Sequence, residues 1–392
     1  MKKQTQLISS GRDKKFTQGV VNPVVQRAST VVFDSVAEFK DAAKNRGNHA
    51  LFYGRRGTTT HFALQQAIAQ LEGGAGCALY PSGAAAISNS LLSFVKAGDH
   101  ILMMDNAYEP TRDFCDKVLA GLGVTTTYYD PQIGADISTL FQENTKVLFM
   151  ESPGSITMEV QDVPAMVAEA KAHNIMTMLD NTYGNGMHFR PLEHGVDISI
   201  QAATKYIVGH SDVMMGVSVA NEQHWPVLRE QSYLLGQCCS ADDAYLALRG
   251  LRTMAVRLQQ HERSALQVAK WLQSHPLVDH VRHPALESCP GHVFFKRDFD
   301  GSNGLFSIVM KEGTQQALDA LVESLHHFKM GFSWGGFESL ITTNLSMKAL
   351  RSETSWQYGP VVRLHIGLED VDDLIADLSQ GLDVYANALA NK

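Results

Sequence analysis

Cysteine is scarce in this chain, and its spacing pairs nothing. Cys77, Cys115, Cys238, Cys239 and Cys289 are the only five, and no two stand in a CxxC arrangement. That count and spacing argue against a disulfide framework and against a zinc site, and they predict a protein of the reducing cytoplasm. Long apolar runs are missing too. No stretch reaches the ~20 consecutive apolar residues that span a bilayer, so no membrane partner is expected. The opening MKKQTQLISSGRDKK is basic but has no apolar core, and it does not read as a secretory signal. Positive charge is in deficit: 33 Lys and Arg stand against 41 Asp and Glu, a formal net charge of −8. With no basic stripe, nucleic acid is not an expected partner. The 16 histidines are scattered, and the adjacent His326-His327 pair reads as surface rather than as ligand spacing, so no metal is expected. Internal repeats and low-complexity tracts are absent as well.

What remains is an ordinary globular composition, 44% hydrophobic and 19% charged over 392 residues, enough for two or three domains. Residues 1–57 show no clear periodicity. Positions 5–12 and 20–33 read as an extended arm, with one short helix near Val36–Asn45. An arm of this kind cannot bury itself, which predicts that it packs on another subunit. A helix then begins with Thr59 or Thr60 as its N-cap and stops at Gly73-Gly74. Beyond it, strand-like runs at 77–80, 100–104, 146–151, 175–179, 198–200 and 213–220 alternate with helix-like runs at 84–95, 108–122 and 163–172. Such alternation predicts an α/β fold with a mostly parallel sheet. A helical region over 225–275, broken around 236–240, leads to a smaller α+β part. There, strands at 304–309 and 362–365 mix with helices at 314–325 and 371–389.

In open α/β sheets, ligands bind beyond the carboxyl ends of the strands, and those ends carry a chemical set here. Pro81-Ser82-Gly83-Ala84 opens a helix after the first run, and a helix N-terminus offers free N–H groups to a phosphate. It is neither a Walker A nor a Rossmann fingerprint. Tyr108 follows the second run and offers a ring for stacking. Asp180 follows the fourth run and offers a carboxylate for a pyridinium N–H. Lys205 follows Gln201-Ala202-Ala203-Thr204, and a lysine at the end of a buried strand is a candidate Schiff-base former. Taken singly, each has a plain reading: a strand–helix turn, a packing tyrosine, a helix cap, a surface lysine. Taken together they match pyridoxal 5′-phosphate (PLP).

The stretch Gln201 to Tyr206 resembles the lysine segment of the Cys/Met-metabolism PLP enzymes. So do Tyr53-Gly54-Arg55-Arg56, Glu151-Ser152-Pro153 and the run from Arg363 to Glu369. The resemblance covers nearly the whole chain. It implies a fold type I enzyme with an N-terminal arm (1–57) that contributes to a neighbouring subunit. A large PLP-binding α/β domain (58–252) and a smaller C-terminal α+β domain (253–392) complete it, in a homotetramer of two active dimers. It implies Lys205 as the cofactor lysine, Asp180 on the pyridinium nitrogen, and Tyr108 stacked on the ring, with Lys205 and Tyr108 the catalytic candidates. It further implies Gly83, Ala84 and Thr204 on the phosphate, and Tyr53 and Arg55 reaching the phosphate of the neighbouring subunit. Arg363 would take the substrate α-carboxylate, with Ser333 and Trp334 nearby and with Arg56 and Tyr233 as further substrate contacts. Two departures, Gly57-Thr58-Thr59-Thr60 where many γ-cleaving relatives have Asn-Pro-Thr and Trp334 where many have leucine, favour cleavage on the Cβ side of sulfur. Ala202 stands where many relatives carry serine. The implied activity is a carbon–sulfur lyase reaction, the α,β-elimination of L-cystathionine to homocysteine, pyruvate and ammonia, in methionine biosynthesis. The alternatives are a γ-cleaving or γ-synthesising member, or a PLP-bound regulatory protein with little turnover.

Overall fold

The computed structural model describes residues 1–353 and 356–390. Positions 354, 355, 391 and 392 of the expected C-terminal domain lie outside the described residues. Among the described residues are the strands β1 (Gly76–Tyr80), β2 (His100–Met104), β3 (Thr125–Tyr129), β4 (Thr145–Glu151), β5 (Met176–Asp180) and β6 (Ile198–Ala202). They continue with β7 (Gly216–Ala220), β8 (Val278–Arg282), β9 (Leu305–Met310), β10 (Lys329–Met330), β11 (Leu340–Asn344) and β12 (Val361–His365). The chain forms two compact units, one of Met1–Ala97 with Thr177–Ala255, the other of Gly98–Met176 with Val256–Lys392.

In the first unit the strand order is β1-β7-β6-β5. β5 and β6 are parallel, while β7 runs antiparallel to both β6 and β1. β1, β5 and β7 are buried along their whole lengths, as strands covered on two faces must be. The helix Thr59–Glu72 has Thr58 as its N-cap, one residue earlier than expected. The Thr58 N–H donates to His61 Nδ1 at 3.1 Å, so a histidine closes the capping box where glutamate or glutamine is usual. The expected extended segment over 5–12 is instead mostly helical, Lys3–Ser9. Tertiary contacts decide this, because seven residues are too few to show a period. Leu7 is buried, its carbonyl accepts from Arg252 Nη1 at 2.5 Å, and Gln6 Nε2 donates to the Gln70 carbonyl at 2.7 Å.

In the second unit β4, β2 and β3 lie side by side and parallel, and β10-β11-β12-β9-β8 form a separate sheet. On one face of that sheet Phe306, Ile308, Val362 and Leu364 pack against Leu318 and Leu321 of the helix Gln315–Ser324. Leu374, Leu378 and Leu382 of the helix Val371–Ala390 join the same core. Each such side chain is worth about 1.5–3 kcal/mol of burial. The period-2 alternation of β12 sends Val362 and Leu364 into this core and Val361 and Arg363 to the other face. Helix boundaries Val36–Asn45, Trp225–Leu234 and Ala241–Gln273 match the expected positions, including the break between the last two. The expected helix over 108–122 is divided into an α-helical turn, Glu109–Asp113, a π-helical stretch, Phe114–Leu119, and a 3-10 turn, Ala120–Leu122.

Candidate functional site

In the first unit the ends of three strands carry the polar groups. After β1, Ser82 caps the helix Gly83–Leu92, its hydroxyl accepting from the Ala85 N–H at 3.1 Å. The N–H groups of Gly83 and Ala84 receive no acceptor among the described residues. Together they are the open donors of a helix start. A Cβ on Gly83 would fall 2.6 Å from the Ala202 Cβ, and one on Gly216 would fall 2.1 Å from the Ser82 carbonyl oxygen. Glycine at both positions is what lets the turn and the end of β6 close on each other.

Asp180 ends β5 and is buried. Its Oδ1 accepts from the Thr182 N–H at 2.9 Å and from the Thr182 hydroxyl at 2.5 Å. The Thr182 oxygen accepts in turn from the Ala202 N–H at 2.9 Å, so the ends of β5 and β6 are stitched together. Oδ2 receives no hydrogen bond among the described residues. Burial pushes the Asp180 carboxyl upward, opposed by the two Thr182 hydrogen bonds and by the positive charge of Lys205. Lys205 lies three residues past β6, in a turn where its N–H donates to the Ala202 carbonyl at 3.0 Å. Thr204 meets Met215 three times: its N–H donates to the Met215 carbonyl at 3.1 Å, and its hydroxyl oxygen accepts from the Met215 N–H at 2.9 Å and lies 3.2 Å from the same carbonyl.

Beneath Asp180, Asn181 Nδ2 donates to the fully buried Glu72 carboxylate at 3.2 Å, and Gln201 Nε2 donates to it as well. Burial pushes this carboxyl up to about 7, against the hydrogen bonds from Asn181 and Gln201 and the charge of Arg190. The sign follows from linkage. Stability is complete while Glu72 is protonated in both folded and unfolded chains, and it is lost as pH rises through about 7. The loss is on the order of 3 kcal/mol once both states are ionised. Glu72→Gln keeps the shape and removes the titration. Its melting temperature relative to wild type is expected to rise between about pH 5 and about pH 8.5. A constant difference across that range would contradict the assignment.

The arm supplies a separate group. Tyr53 is half-exposed and bridges to Thr30. Arg55 Nη1 donates to the Tyr233 carbonyl at 2.5 Å, and the Arg56 guanidinium lies 4.2 Å from the centre of the Tyr233 ring. Arg56 Nη2 pairs with Glu230 at 3.4 Å, while Nη1 is buried without a hydrogen-bond partner among the described residues. Arg55, Arg56 and Tyr233 line an open cleft with His61, Trp225 and Cys239. Gly83, Ala84, Asp180, Thr204 and Lys205 are not among its lining residues.

In the second unit, Tyr108 follows β2 as the N-cap of the turn Glu109–Asp113. It is 46% exposed, and its N–H donates to Glu151 Oε2 at 2.8 Å. Arg363 lies on β12, and its Nη2 faces the carbonyls of Gly331, Phe332 and Ser333 at 3.5, 3.2 and 3.4 Å. It has no carboxylate partner among the described residues. Burial lowers its guanidinium to about 10, with Tyr108 acting in the opposite sense. Ser333 is exposed and Trp334 half-buried in the loop between β10 and β11. That loop is tied down by residues just past Arg363. Gly335 N–H donates to His365 Nε2 at 3.1 Å, and Glu369 accepts from the Ser339 N–H and hydroxyl at 2.8 and 2.9 Å.

These supporting groups were not singled out from the sequence. Thr182 stands two residues after Asp180, the spacing of a local side-chain turn, which is the signal that could have found it. Glu151, His365 and Glu369 lie inside the segments that carry the resemblance, but their roles depend on partners far along the chain.

The crystal structure of MetB from Corynebacterium glutamicum matches this chain with a TM-score of 0.89 at 30% identity, over 98% of each chain. The architecture is therefore that of the fold type I PLP-dependent enzymes. Two sequence relatives are closer. The chain is 56% identical over 386 residues to cystathionine beta-lyase MetC of Escherichia coli K12, covering 97% of this chain and 98% of that one. It is 54% identical over 388 residues to cystathionine beta-lyase of Haemophilus influenzae, covering 97% and 98%. Residues 4–383 match the family of Cys/Met metabolism PLP-dependent enzymes, and the chain belongs to that family. No helix among the described residues is long and apolar enough to cross a membrane, and no cluster of His, Cys, Asp or Glu among them could hold a metal ion.

Proposed function

We propose that the chain is a cystathionine β-lyase, a PLP-dependent carbon–sulfur lyase that releases homocysteine, pyruvate and ammonia from L-cystathionine. The observation that carries the chemistry is the placement of Asp180 at the end of β5 and of Lys205 just past the neighbouring parallel strand β6, where the lysine's charge acts on the buried carboxylate. The relatives' names support the substrate and the bond that breaks.

The residues fit the cofactor. The open amides of Gly83 and Ala84 suit a phosphate, and Asp180 Oδ2 is available for a ring N–H. Thr204 can turn its hydroxyl proton from the Met215 carbonyl to a phosphate oxygen while still accepting from the Met215 N–H. Bound there through Lys205, pyridoxal 5′-phosphate supplies the electron sink that acidifies the substrate Cα–H. Asp180 would hold a proton on the ring nitrogen, and Tyr108 would stack on the ring. Arg363 takes the α-carboxylate, since a planar guanidinium binds a carboxylate through two parallel hydrogen bonds. Ser333 and Trp334 shape the pocket beside it. Lys205 Nζ removes the Cα proton and returns a proton to the departing sulfur.

The arm completes the reading. Val20, Val21, Val24, Val32 and Phe39 are at least half exposed in the single chain. Arg55 lines a cleft to which neither Lys205 nor Asp180 contributes. Both features support an arm (1–57) that packs on a neighbouring subunit and brings Tyr53 and Arg55 to that subunit's phosphate. A cofactor domain (58–252), a C-terminal domain (253–392), a homotetramer of two active dimers and a cytoplasmic location belong to the same proposal.

Cystathionine has a second carboxylate, and the buried, unpartnered Arg56 Nη1 is the donor assigned to it, beside Tyr233. Arg56→Ala is expected to lower kcat/KM for cystathionine on the order of tenfold to a hundredfold, the worth of one charge-assisted hydrogen bond. S-methylcysteine, which lacks the distal carboxylate, is expected to change by less than about twofold. Steady-state kinetics on both substrates tests this, and an equal loss on both would remove Arg56 from the role.

A further inference from the structure

The loop after β2 carries Tyr108, and it is held from below by buried charge. Asp105 and Asn106 are fully buried and stand three and two residues before Tyr108. Arg351 Nε donates to Asp105 Oδ1 at 2.8 Å, and the Glu353 N–H donates to Oδ2 at 3.1 Å. Arg351 Nη1 donates also to Glu159 Oε1, which Arg282 Nη1 reaches at 2.8 Å. Asn106 Nδ2 closes the circuit on Glu159 Oε2 at 2.8 Å. Asp130 lies at 3.8 Å from Arg351 Nη2. In the turn after Tyr108, Arg112 Nη1 donates to the carbonyls of Asp105 and Leu350 at 2.9 and 2.6 Å.

Arg351 and Arg282 thus face Asp105 and Glu159, and all four side chains are at most 5% exposed. A buried, balanced cluster of this kind contributes little net stability compared with apolar packing, because desolvation offsets the attraction. What it does supply is direction. Its hydrogen bonds accept one arrangement, where apolar side chains accept several. The bonds here converge on the few residues that lead into and out of Tyr108, and the Tyr108 N–H has its own partner in Glu151.

We infer that Arg351 is a positioning residue, which sets the Tyr108 ring through Asp105 and, with Glu159, through Asn106. The inference rests on the assignment of Tyr108 to the cofactor ring. Lysine at 351 keeps the charge but lacks the fork that reaches Asp105 and Glu159 at once.

The test is a double-mutant cycle on the PLP-loaded enzyme, read by the visible circular dichroism of the bound cofactor, which reports the asymmetry around its ring. Arg351→Lys is expected to lower that band by about half or more, and Tyr108→Ala to lower it as well. Adding Arg351→Lys to Tyr108→Ala should change it no further. In the otherwise wild-type enzyme, Arg351→Lys should also lower kcat on the order of tenfold to a hundredfold, with KM within about twofold, as misplacement rather than lost binding requires. Equal losses of dichroism in both backgrounds, or none in either, would overturn the inference. Should Arg351→Lys not fold, Asp105→Asn takes its place with the same expectations. Tyr108→Ala alone leaving the band at its wild-type value would overturn the ring assignment itself, a result distinct from failure of the network.

Discussion

Lys205→Ala is expected to lower turnover on the order of ten-thousandfold or more, because one amine is assigned to hold the cofactor, take the Cα proton and return it to sulfur. Groups that act as a unit are lost as a unit. The fold should survive, since Lys205 lies in a turn past β6 whose geometry rests on backbone bonds such as Gly209 N–H to the Lys205 carbonyl at 2.7 Å. Borohydride reduction should fix cofactor to the wild-type chain and not to the variant, as the intact mass of each chain would show. A reducible link retained at full yield in Lys205→Ala would remove the lysine from its role.

Arg363→Ala is expected to have the next largest effect. The guanidinium is largely buried, faces three carbonyl oxygens through Nη2, and is held down to about 10 by that burial. It is a positive charge kept without a carboxylate among the described residues, so a substrate carboxylate gains more there than at a solvated arginine. Its removal should cost about 2–5 kcal/mol of transition-state binding, on the order of thirtyfold to several thousandfold in kcat/KM. Arg363→Lys should fall between, since it keeps the charge and loses the planar pair of donors. The melting temperature of the alanine variant should not drop, because its own protein partners are few. Unchanged kcat/KM would place the α-carboxylate elsewhere.

Much of this site was legible because its residues sit at strand ends, and strand ends can be read locally. β2, β5 and β6 announce themselves as short apolar runs, and Tyr108, Asp180 and Lys205 follow or close them. The helix Val36–Asn45 was legible for a similar reason: Ser35 and Glu38 stand at capping-box spacing, and the Glu38 N–H donates to the Ser35 hydroxyl at 3.2 Å. β3 was not legible, since Thr125 to Tyr129 carries no apolar alternation and its pairing with β2 gives it its form. Nor was the helix Lys3–Ser9, which contacts far along the chain determine. The clearest gap is Arg351. It bonds a carboxylate 246 residues away, and no local pattern marks an arginine for burial. Glu72 is similar: at the end of a helix it reads as surface, and only the fold puts Asn181 and Gln201 over it.

The central claim is that sulfur leaves from Cβ, and the oxo acid formed from cystathionine tests it most directly. With the cysteine-derived head on Arg363, elimination yields pyruvate and homocysteine. With the homocysteine-derived head there, sulfur stands on Cγ, and the products are 2-oxobutyrate and cysteine. The second route needs a further deprotonation at Cβ. Incubating the purified PLP-loaded enzyme with L-cystathionine and separating the oxo acids should give pyruvate as the dominant product. Predominant 2-oxobutyrate would contradict the assignment.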